Sequence, residues 1–277
     1  SAVWIKICIA MLAFAANSLL CRLALAEQQI DPMSFSLLRV GSGAVCLGIF
    51  YAVLQVQQPI QFQWKSALSL AVYLLGFSLA YLHIDAGIGA LILFGAVQIT
   101  MISYAILHGE RMTLPRWVGL GCAVLGMGLL LLPEASTPTF KYALMMLLAG
   151  IAWGFYSIAA KTMQHALTNT LSNFILATPL VAVFFLWHLP ESFITWQGVV
   201  LAVLSGALAS AGAYVLWYSI VKKIDHITAS TVQLSVPCLA ILGGVIFLGE
   251  QLTLLMVVAT LIVLCGILMV ILTKPRV

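Results

Sequence analysis

The segment GERMTL at residues 109–114 recurs 140 positions later as GEQLTL at residues 249–254, and this repetition determines how the chain is organised. Four of the six residues are identical, and the same register continues to Leu132 and Leu272, where seven of 24 aligned positions are identical. Apolar sequence produces chance matches, but not a shared GExxTL at the same joint between two apolar runs. Self-similarity at a fixed distance along the chain indicates an internal structural repeat.

The chain on either side of these two segments is almost continuously apolar. Of its 277 residues, 63% are hydrophobic and only 7% are charged, whereas soluble domains have about 25% charged residues. The apolar residues form runs of about 20, the length that an α-helix needs to cross a bilayer core of roughly 30 Å. A membrane β-barrel would show shorter segments of alternating polarity, which the sequence lacks. The sequence therefore predicts an all-α integral membrane protein.

Polar breaks divide the chain into ten predicted transmembrane spans with short connections. The predicted spans are Val3–Leu25, Ser34–Leu54, Lys65–Leu82, Ala86–Leu107, Pro115–Leu132, Tyr142–Met163, Thr170–Leu189, Val199–Val221, Ile227–Leu248 and Leu254–Thr273. The two GE segments precede the fifth and the tenth span. We therefore predict a five-helix repeat at residues 1–134 and a second one at residues 139–277.

The first and sixth spans align at an offset of 139, which pairs Phe14 with Trp153 and Asn17 with Tyr156. Because five is an odd number, consecutive five-helix units enter the membrane from opposite sides, so the two repeats are predicted to be inverted. With the N-terminus inside, nine of the 12 lysines and arginines fall on the cytoplasmic side, where loops collect positive charge. We predict a multi-pass protein of the cell inner membrane with both termini in the cytoplasm.

Taken together, these features resemble the EamA type of the drug/metabolite transporter superfamily, over essentially the whole chain. Its marks are the ten spans, the GE pair before the last helix of each repeat, the segment AWGFY at residues 152–156, and Pro237 thirteen residues before Glu250. The first repeat departs from the pattern, with Val97 at the position of that proline and Phe14 where a tryptophan is common. The resemblance implies that spans 1, 3, 4, 6, 8 and 9 line a central cavity and that spans 5 and 10 are peripheral.

Charged residues inside the spans are rare, and each one is a candidate for function. All eight acidic residues lie at span ends or in loops, which disfavours proton coupling through a buried carboxylate and leaves a facilitator, an exchanger or an unusual coupling group. Glu110 and Glu250 are expected to stabilise helix N-termini. Arg39 lies about one and a half turns inside the second span, where it either extends to the interface or faces the cavity and holds a substrate carboxylate.

Aromatic and amide side chains recur at helical spacing in the spans that the resemblance assigns to the cavity. Buried Gln and Tyr need hydrogen-bond partners, so a mixed stripe favours a binding site over packing alone. Tyr73 and Tyr218 are assigned to the membrane-interface belt. Pro237 is predicted to kink the ninth span by freeing the Gln233 carbonyl. The predicted substrate-binding residues are Phe14, Asn17, Arg39, Tyr81, Phe94, Gln98, Trp153, Tyr156, Tyr214, Trp217 and Gln233.

Several classes of function are disfavoured by the sequence. The six cysteines and five histidines lack metal spacing, no enzyme motif occurs, and no basic run indicates nucleic acid. We therefore predict no catalytic residue, no metal and no cofactor, with a small-molecule substrate and the lipid bilayer as partners of a monomer or homodimer. The predicted function is a secondary transporter, an exporter of amino acids or related amphiphilic compounds by alternating access. The alternatives are a transporter of an anionic solute, such as a nucleotide or sugar phosphate, and a membrane enzyme or helical scaffold.

Overall fold

The computed structural model describes residues 2–131, 140–249 and 254–273, in which the regular structure is helical apart from one isolated β-bridge. Ten helices, α1 to α10, account for the ten predicted spans, and seven of them are long and apolar enough to cross a membrane. Their bounds are Ala2–Ala26 (α1), Pro32–Val53 (α2), Trp64–Tyr81 (α3), Ala86–Leu107 (α4), Leu114–Leu131 (α5), Phe140–Ala160 (α6), Ala166–Trp187 (α7), Trp196–Leu204 with Ser205–Gly212 and Ala213–Val221 (α8), His226–Gln233 with Ser235–Leu248 (α9), and Leu254–Leu272 (α10).

The packing of the helices follows a two-fold pattern in which α1–α5 correspond to α6–α10. Helix α1 packs on α8 and α9, and its counterpart α6 packs on α3 and α4. Likewise α2 packs on α8, and its counterpart α7 packs on α3. Equivalent helices also pair directly, as α2 with α7, α4 with α9 and α5 with α10. This confirms the predicted fold of ten helices in two inverted five-helix repeats. Helices α5 and α10 pack mainly on each other and on α4 and α9, which agrees with a peripheral position.

The helices begin and end where local chemistry satisfies their free backbone groups. Asp31 precedes α2 and accepts hydrogen bonds from the amides of Met33 and Ser34 at 3.0 and 2.9 Å, as an N-cap residue does. The chain leaves α4 through Gly109 and α9 through Gly249, whose φ angles of 83° and 70° are left-handed. The two copies of the GE segment thus begin with the same backbone conformation.

The remainder of the second GE segment, including Glu250, lies outside the described residues, as do the ends of the predicted repeats at residues 134, 139 and 277. Residues 1–134 and 139–277 therefore remain the predicted extents of the repeats. Because the connections are short, successive helices run in opposite directions. We call the membrane side at which α1 begins the N-terminal end of the molecule, and the side at which α1 finishes the opposite end.

Helices α2 and α8, from different repeats, approach each other closely. A Cβ atom at Gly206 would overlap the Arg39 carbonyl oxygen and the Ser42 hydroxyl, so only glycine fits this contact. The close approach brings the middle of α8 against the side chain of Arg39. It therefore sets the geometry of the candidate site.

Two helices that reach the centre of the bundle are irregular. Residues Ser205–Gly212 of α8 are π-helical, a feature that the apolar pattern of the span does not predict. Helix α9 is interrupted at Leu234, whose amide bonds to the Thr231 carbonyl at 3.0 Å, and it resumes at Ser235. The interruption lies three residues before Pro237, where a missing amide and the bulk of the ring disfavour a continuous helix.

Candidate substrate site

Arg39, the eighth residue of α2, is fully buried in the helix bundle. Its Nε donates a hydrogen bond to Ser210 Oγ at 2.9 Å. Its Nη2 donates to the hydroxyls of Tyr73 at 3.1 Å and Tyr214 at 2.9 Å. Tyr73 belongs to the same repeat as Arg39, whereas Ser210 and Tyr214 lie on α8 of the second repeat. The guanidinium group therefore joins the two halves of the molecule.

No carboxylate among the described residues pairs with the positive charge of Arg39. The rings of Phe77 and Tyr73 lie 4.9 and 5.3 Å from its Cζ atom, which is cation–π distance. Its Nη1 atom is buried and has no hydrogen-bond partner. Because a guanidinium has five N–H donors and three are used by Nε and Nη2, both donors on Nη1 are free.

Ser210 is the centre of a second polar contact between the repeats. Asn17 Nδ2 on α1 donates to Ser210 Oγ at 3.1 Å, and Ser205 Oγ donates to Asn17 Oδ1. Ser205 and Ser210 stand five residues apart in the π-helical segment. Because a π-helix forms hydrogen bonds between residues i and i+5, these two serines lie one above the other on the same face. This local geometry turns both hydroxyls toward Asn17 and leaves the Ser210 oxygen in reach of α2.

A cluster of buried aromatic rings surrounds these polar groups. The ring of Phe14 lies edge-on to Trp153, Trp217 and Tyr214, with centroid distances of 5.3, 5.9 and 6.0 Å. The Trp153 ring is also 5.0 Å from Tyr73 and 4.7 Å from Tyr214. Aromatic pairs in such arrangements contribute about 0.5–1.5 kcal/mol beyond their buried area. Phe14 and Trp153, which the repeat alignment pairs, are thus in contact. In contrast, Asn17 bonds to Ser205 and Ser210, and its aligned residue Tyr156 lies beside Asn173.

Trp153 is also bonded to the interrupted helix α9. Its Nε1 donates to Gln233 Oε1 at 2.7 Å, and Gln233 Nε2 donates to the Ala229 carbonyl at 3.1 Å. Gln233 is the last residue of the first part of α9, so this bond fixes α6 to the point where α9 breaks. On the neighbouring face, Gln98 Nε2 reaches Thr231 Oγ1 at 3.5 Å, and Gln98 Oε1 is buried without a partner.

The second repeat places a neutral amide at the position of Arg39. Asn173 is the eighth residue of α7, as Arg39 is of α2, and both helices have 22 residues. Its Nδ2 lies 3.2 Å from the Tyr218 hydroxyl and 3.4 Å from that of Tyr156. Each repeat thus has a polar residue on its second helix that binds tyrosine hydroxyls. At this position only the residue of the first repeat, Arg39, is charged.

All eleven predicted substrate-binding side chains are buried, with 5% exposure or less. The rings and polar groups described above bring most of them together. Tyr81 lies toward the end of α3, where its ring contacts Phe77 with a centroid distance of 4.7 Å. Trp217 Nε1 donates to Ser157 Oγ at 3.2 Å, and Phe94 is buried on α4. Their role in binding a substrate stays a prediction.

The assignment of Tyr73 and Tyr218 to the membrane-interface belt is wrong. Tyr73 is 5% exposed and Tyr218 is fully buried, and both bond to interior side chains. Tyr218 lies near the end of its span, where belt residues occur, but Tyr73 is the tenth of the 18 residues of α3, in the middle of the helix. Each hydroxyl instead bonds to a polar residue of the adjacent helix, Arg39 or Asn173. Asn173 and Ser205 are further members of the site that the sequence analysis misses. The sequence repeat does not identify Asn173, because offsets of 139 and 140 align Arg39 with Thr178 and Pro179. The correspondence follows only from the observed starts of α2 and α7.

The N-terminal end of the molecule carries a cluster of charged side chains from both repeats. Arg116 Nη1 and Nη2 donate to the two carboxylate oxygens of Asp225 at 3.0 and 3.2 Å. Burial alone would raise the pKa of Asp225, but hydrogen bonds from Arg116 and Thr228, with the Arg116 charge, lower it. Glu110 accepts from the His226 amide at 3.3 Å and contacts its ring, so this carboxylate lies at the start of α9 and not, as its sequence position suggests, of α5.

Lys161 completes the cluster, with Nζ 3.4 Å from His226 Nδ1. Burial lowers the pKa of Lys161, and the negative charges of Glu110 and Asp225 oppose that shift. At the opposite end, Arg22 pairs with Asp85 at 2.8 Å and donates to the Tyr81 carbonyl at 3.0 Å. The described residues contain no group of three His, Cys, Asp or Glu side chains that could hold a metal ion.

Comparison with known proteins gives the same fold and a family. Residues 2–132 and 140–272 match the model of the EamA-like transporter family. An uncharacterised protein of Pseudomonas aeruginosa is 42% identical over 269 residues, covering 97% of this chain and 93% of that protein. The uncharacterised transporter YoaV of Bacillus subtilis is 26% identical over 258 residues, covering 87% of each chain. One solved crystal structure superposes with a TM-score of 0.75 at 18% identity, covering 95% of this chain and 98% of that one. The chain belongs to the EamA-like transporter family, and its relatives identify it as a membrane transporter.

Proposed function

We propose that this protein is a secondary transporter that exports small amphiphilic metabolites, amino acids or related compounds, by alternating access between its two repeats. One observation carries the proposal: a charged, hydroxyl-rich and aromatic site is built across the interface of the repeats, where Arg39 of the first repeat bonds to Ser210 and Tyr214 of the second. Transporters with inverted repeats bind substrate near the midplane at this interface.

The contacts around the site are suited to a transport cycle. The aromatic and polar side chains fill the space between the repeats, so a substrate has to part Phe14 from Trp153 in order to enter. The interrupted helix α9 and the π-helical part of α8 supply backbone that can adjust during this motion. A rocking movement of one repeat against the other would open the site to each side in turn.

The composition of the site favours an amphiphilic solute over the alternatives. A nucleotide or sugar phosphate would require several cations, and Arg39 is the one that this cluster contains. A helical scaffold would have no need for a buried guanidinium with free donors. An enzyme would need a nucleophile or an acid–base pair among these residues, and the names of the relatives favour transport.

We further propose that the N-terminal end faces the cytoplasm in the cell inner membrane. The support is the distribution of lysine and arginine. Single cysteines placed near Lys6, at Lys222 and at Trp196 in a cysteine-free protein test the topology with a membrane-impermeant reagent. In sealed cells only the cysteine at residue 196 should react. Reaction at residue 222 would reverse the orientation, and reaction at both 196 and 222 would contradict the span assignment.

The transport proposal is tested with purified protein in liposomes. A thermal-shift screen against a metabolite library first selects solutes that stabilise the protein, and saturable flux of a selected solute is then measured. Trp153→Ala should reduce flux strongly with normal membrane insertion, and Gln98→Leu should alter substrate preference. Trp117→Ala is the matched control, because Trp117 is half exposed on peripheral α5. Absence of saturable flux for every selected solute would contradict the proposal.

A further inference from the structure

We infer that the substrate is an organic monoanion, a carboxylate with an apolar body and no free ammonium group, and that Arg39 Nη1 binds its carboxylate. The inference rests on the proposed transport function and narrows its substrate class, from amino acids and related compounds to the related compounds that lack the amine. Three observations support it: the unpaired charge of Arg39, the two free donors on one of its atoms, and the chemistry of the surrounding side chains.

The charge of Arg39 lacks a counter-ion within the described part of the protein. A guanidinium retains its proton in proteins, and a charge held away from water is costly unless it is paired. Three hydroxyl groups and two aromatic rings solvate it in the closed structure. A bound anion would neutralise it. The site is thus electrostatically complementary to one negative charge.

The free donors indicate where the anion binds. Nε and Nη2 already donate to Ser210, Tyr73 and Tyr214, so Nη1 is the atom left for a ligand. A carboxylate offers about four lone-pair sites and forms short, strong bonds with guanidinium groups. The hydroxyls of Tyr73 and Tyr214 accept from Nη2 and hold the guanidinium group in the orientation that leaves Nη1 for the anion.

The position equivalent to Arg39 limits the total charge of the ligand. A doubly charged solute would be favoured by a second cation in the other repeat. Asn173 occupies that position and supplies a neutral amide. The site therefore matches a carboxylate better than a phosphate monoester, whose charge is close to two at neutral pH.

The same site is poorly suited to bind an ammonium group. All eight acidic residues lie at the ends of the predicted spans or in loops, so an amino acid would bring its cation next to Arg39 without a carboxylate to receive it. The apolar rings of Phe14, Trp153 and Trp217 instead suit a hydrocarbon or aromatic body. Among compounds related to amino acids, those without a free amine fit the site.

The experiment compares ligands that differ only in charge. The purified protein is tested by thermal shift and by competition for liposome flux with butyrate, 3-phenylpropanoate and indole-3-acetate, each beside its neutral amide, and with zwitterionic L-phenylalanine. We expect at least one carboxylate to bind about tenfold or more tightly than its amide, and L-phenylalanine to compete no better than 3-phenylpropanamide. Equal binding of the carboxylates and their amides, or tighter binding of L-phenylalanine, would overturn the inference.

Variants then connect this selectivity to Arg39. Arg39→Gln should abolish the preference for carboxylate over amide, and Arg39→Lys, which keeps the charge with a single nitrogen, should retain part of it. Arg22→Gln is the matched control and should keep the full preference, because Arg22 pairs with Asp85 away from the site. An unchanged preference in Arg39→Gln would overturn the inference and leave the transport function intact if flux persists. If Arg39→Gln does not fold, loss of the preference in Tyr214→Phe supports the assignment, and an unchanged preference in both Tyr214→Phe and Arg39→Lys overturns it.

Discussion

The two ends of the molecule are related by the internal repeat, yet different kinds of bond hold them closed. At the opposite end, the loop before α2 bonds to the loop before α8 through two backbone bonds, Asp31 N to Phe193 O at 3.0 Å and Thr195 N to Gln29 O at 2.8 Å. Side chains add to them, since Phe193 N also donates to Asp31 Oδ2 at 3.1 Å. The two backbone bonds enclose the bridge between Ile30 and Ile194. At the N-terminal end, the connections across the repeats are made by charged side chains.

The equivalent residues are present at both ends but have changed partners. Asp85 and Asp225 stand 140 residues apart, each directly before the fourth helix of its repeat, and Arg22 and Lys161 stand 139 apart. At the opposite end Arg22 pairs with Asp85. At the N-terminal end Asp225 pairs with Arg116 on α5, and Lys161 contacts His226.

The difference has a consequence for the transport cycle. Backbone hydrogen bonds do not depend on the protonation of side chains, whereas the ion pairs at the N-terminal end lose strength when a member changes its charge. We therefore expect the opposite end to be sensitive to covalent restraint, and the N-terminal end to be sensitive to pH and to the removal of single charges.

The largest effect is expected from a disulfide across the opposite end. Residues that face each other between two such backbone bonds have Cα atoms about 4.5 Å apart, which lies within the range that a disulfide can span. In a cysteine-free background, Ile30→Cys with Ile194→Cys should form a disulfide and reduce flux by more than tenfold, and dithiothreitol should restore it. Each single cysteine is the control. Unchanged flux with complete cross-linking would mean that this end does not open.

A smaller effect should distinguish the two equivalent aspartates. Asp225→Asn leaves Arg116, which is 2% exposed, without a charged partner, and should lower the free energy of unfolding by about 1–3 kcal/mol, or the melting temperature by several degrees. Asp85 is 46% exposed, so Asp85→Asn should cost about 1 kcal/mol or less. Thermal unfolding of both variants in the same detergent measures the difference. The reverse order would contradict the contrast between the ends.

The pH dependence of stability should follow from the same aspartate. Because the pKa of Asp225 is lower in the folded protein than its ordinary value, its stabilising contribution is complete above the unfolded pKa and is lost as the pH falls through the folded one. Below about pH 4, the melting temperature of the unmodified protein should therefore fall more steeply than that of Asp225→Asn. Parallel curves for the two proteins would show that Asp225 contributes nothing to acid sensitivity.

The sequence was sufficient for the fold because the relevant information is periodic. Apolar runs of membrane length and a repeated GExxTL segment define ten helices in two units, and this assignment does not depend on the contacts between side chains. The same alignment pairs Phe14 with Trp153, which the structure brings into contact. Individual bonds in the site are less accessible from sequence. The partners of Arg39 depend on the close approach of α2 and α8 at Gly206 and on the π-helical turn that orients Ser210.

The wrong assignment of two tyrosines and the unexpected partner of Glu110 have a common physical origin. Tyrosine is a common residue at membrane interfaces, but Tyr73 and Tyr218 are buried because each bonds to a polar side chain on a neighbouring helix. Glu110 does bond to a helix N-terminus, as expected, but the helix is α9 and not α5, which it precedes in the chain. In both cases the side chain contacts a helix that is distant in sequence. The pattern of residues around one side chain does not show such a contact.

The smallest effect is expected where a side chain duplicates a backbone bond. Thr195 Oγ1 donates to Gln29 Oε1 at 2.8 Å, beside the bond between Thr195 N and the Gln29 carbonyl. Gln29→Ala removes the exposed side-chain bond and retains the backbone one. The free energy of unfolding should therefore fall by about 0.5 kcal/mol or less, and the melting temperature and the flux should change little. Glu110→Ala is the counterpart at the N-terminal end, where it removes an acceptor of the His226 amide, and should cost more. If Gln29→Ala were the more damaging change, side chains and not backbone would hold the opposite end, and the contrast between the two ends would be lost.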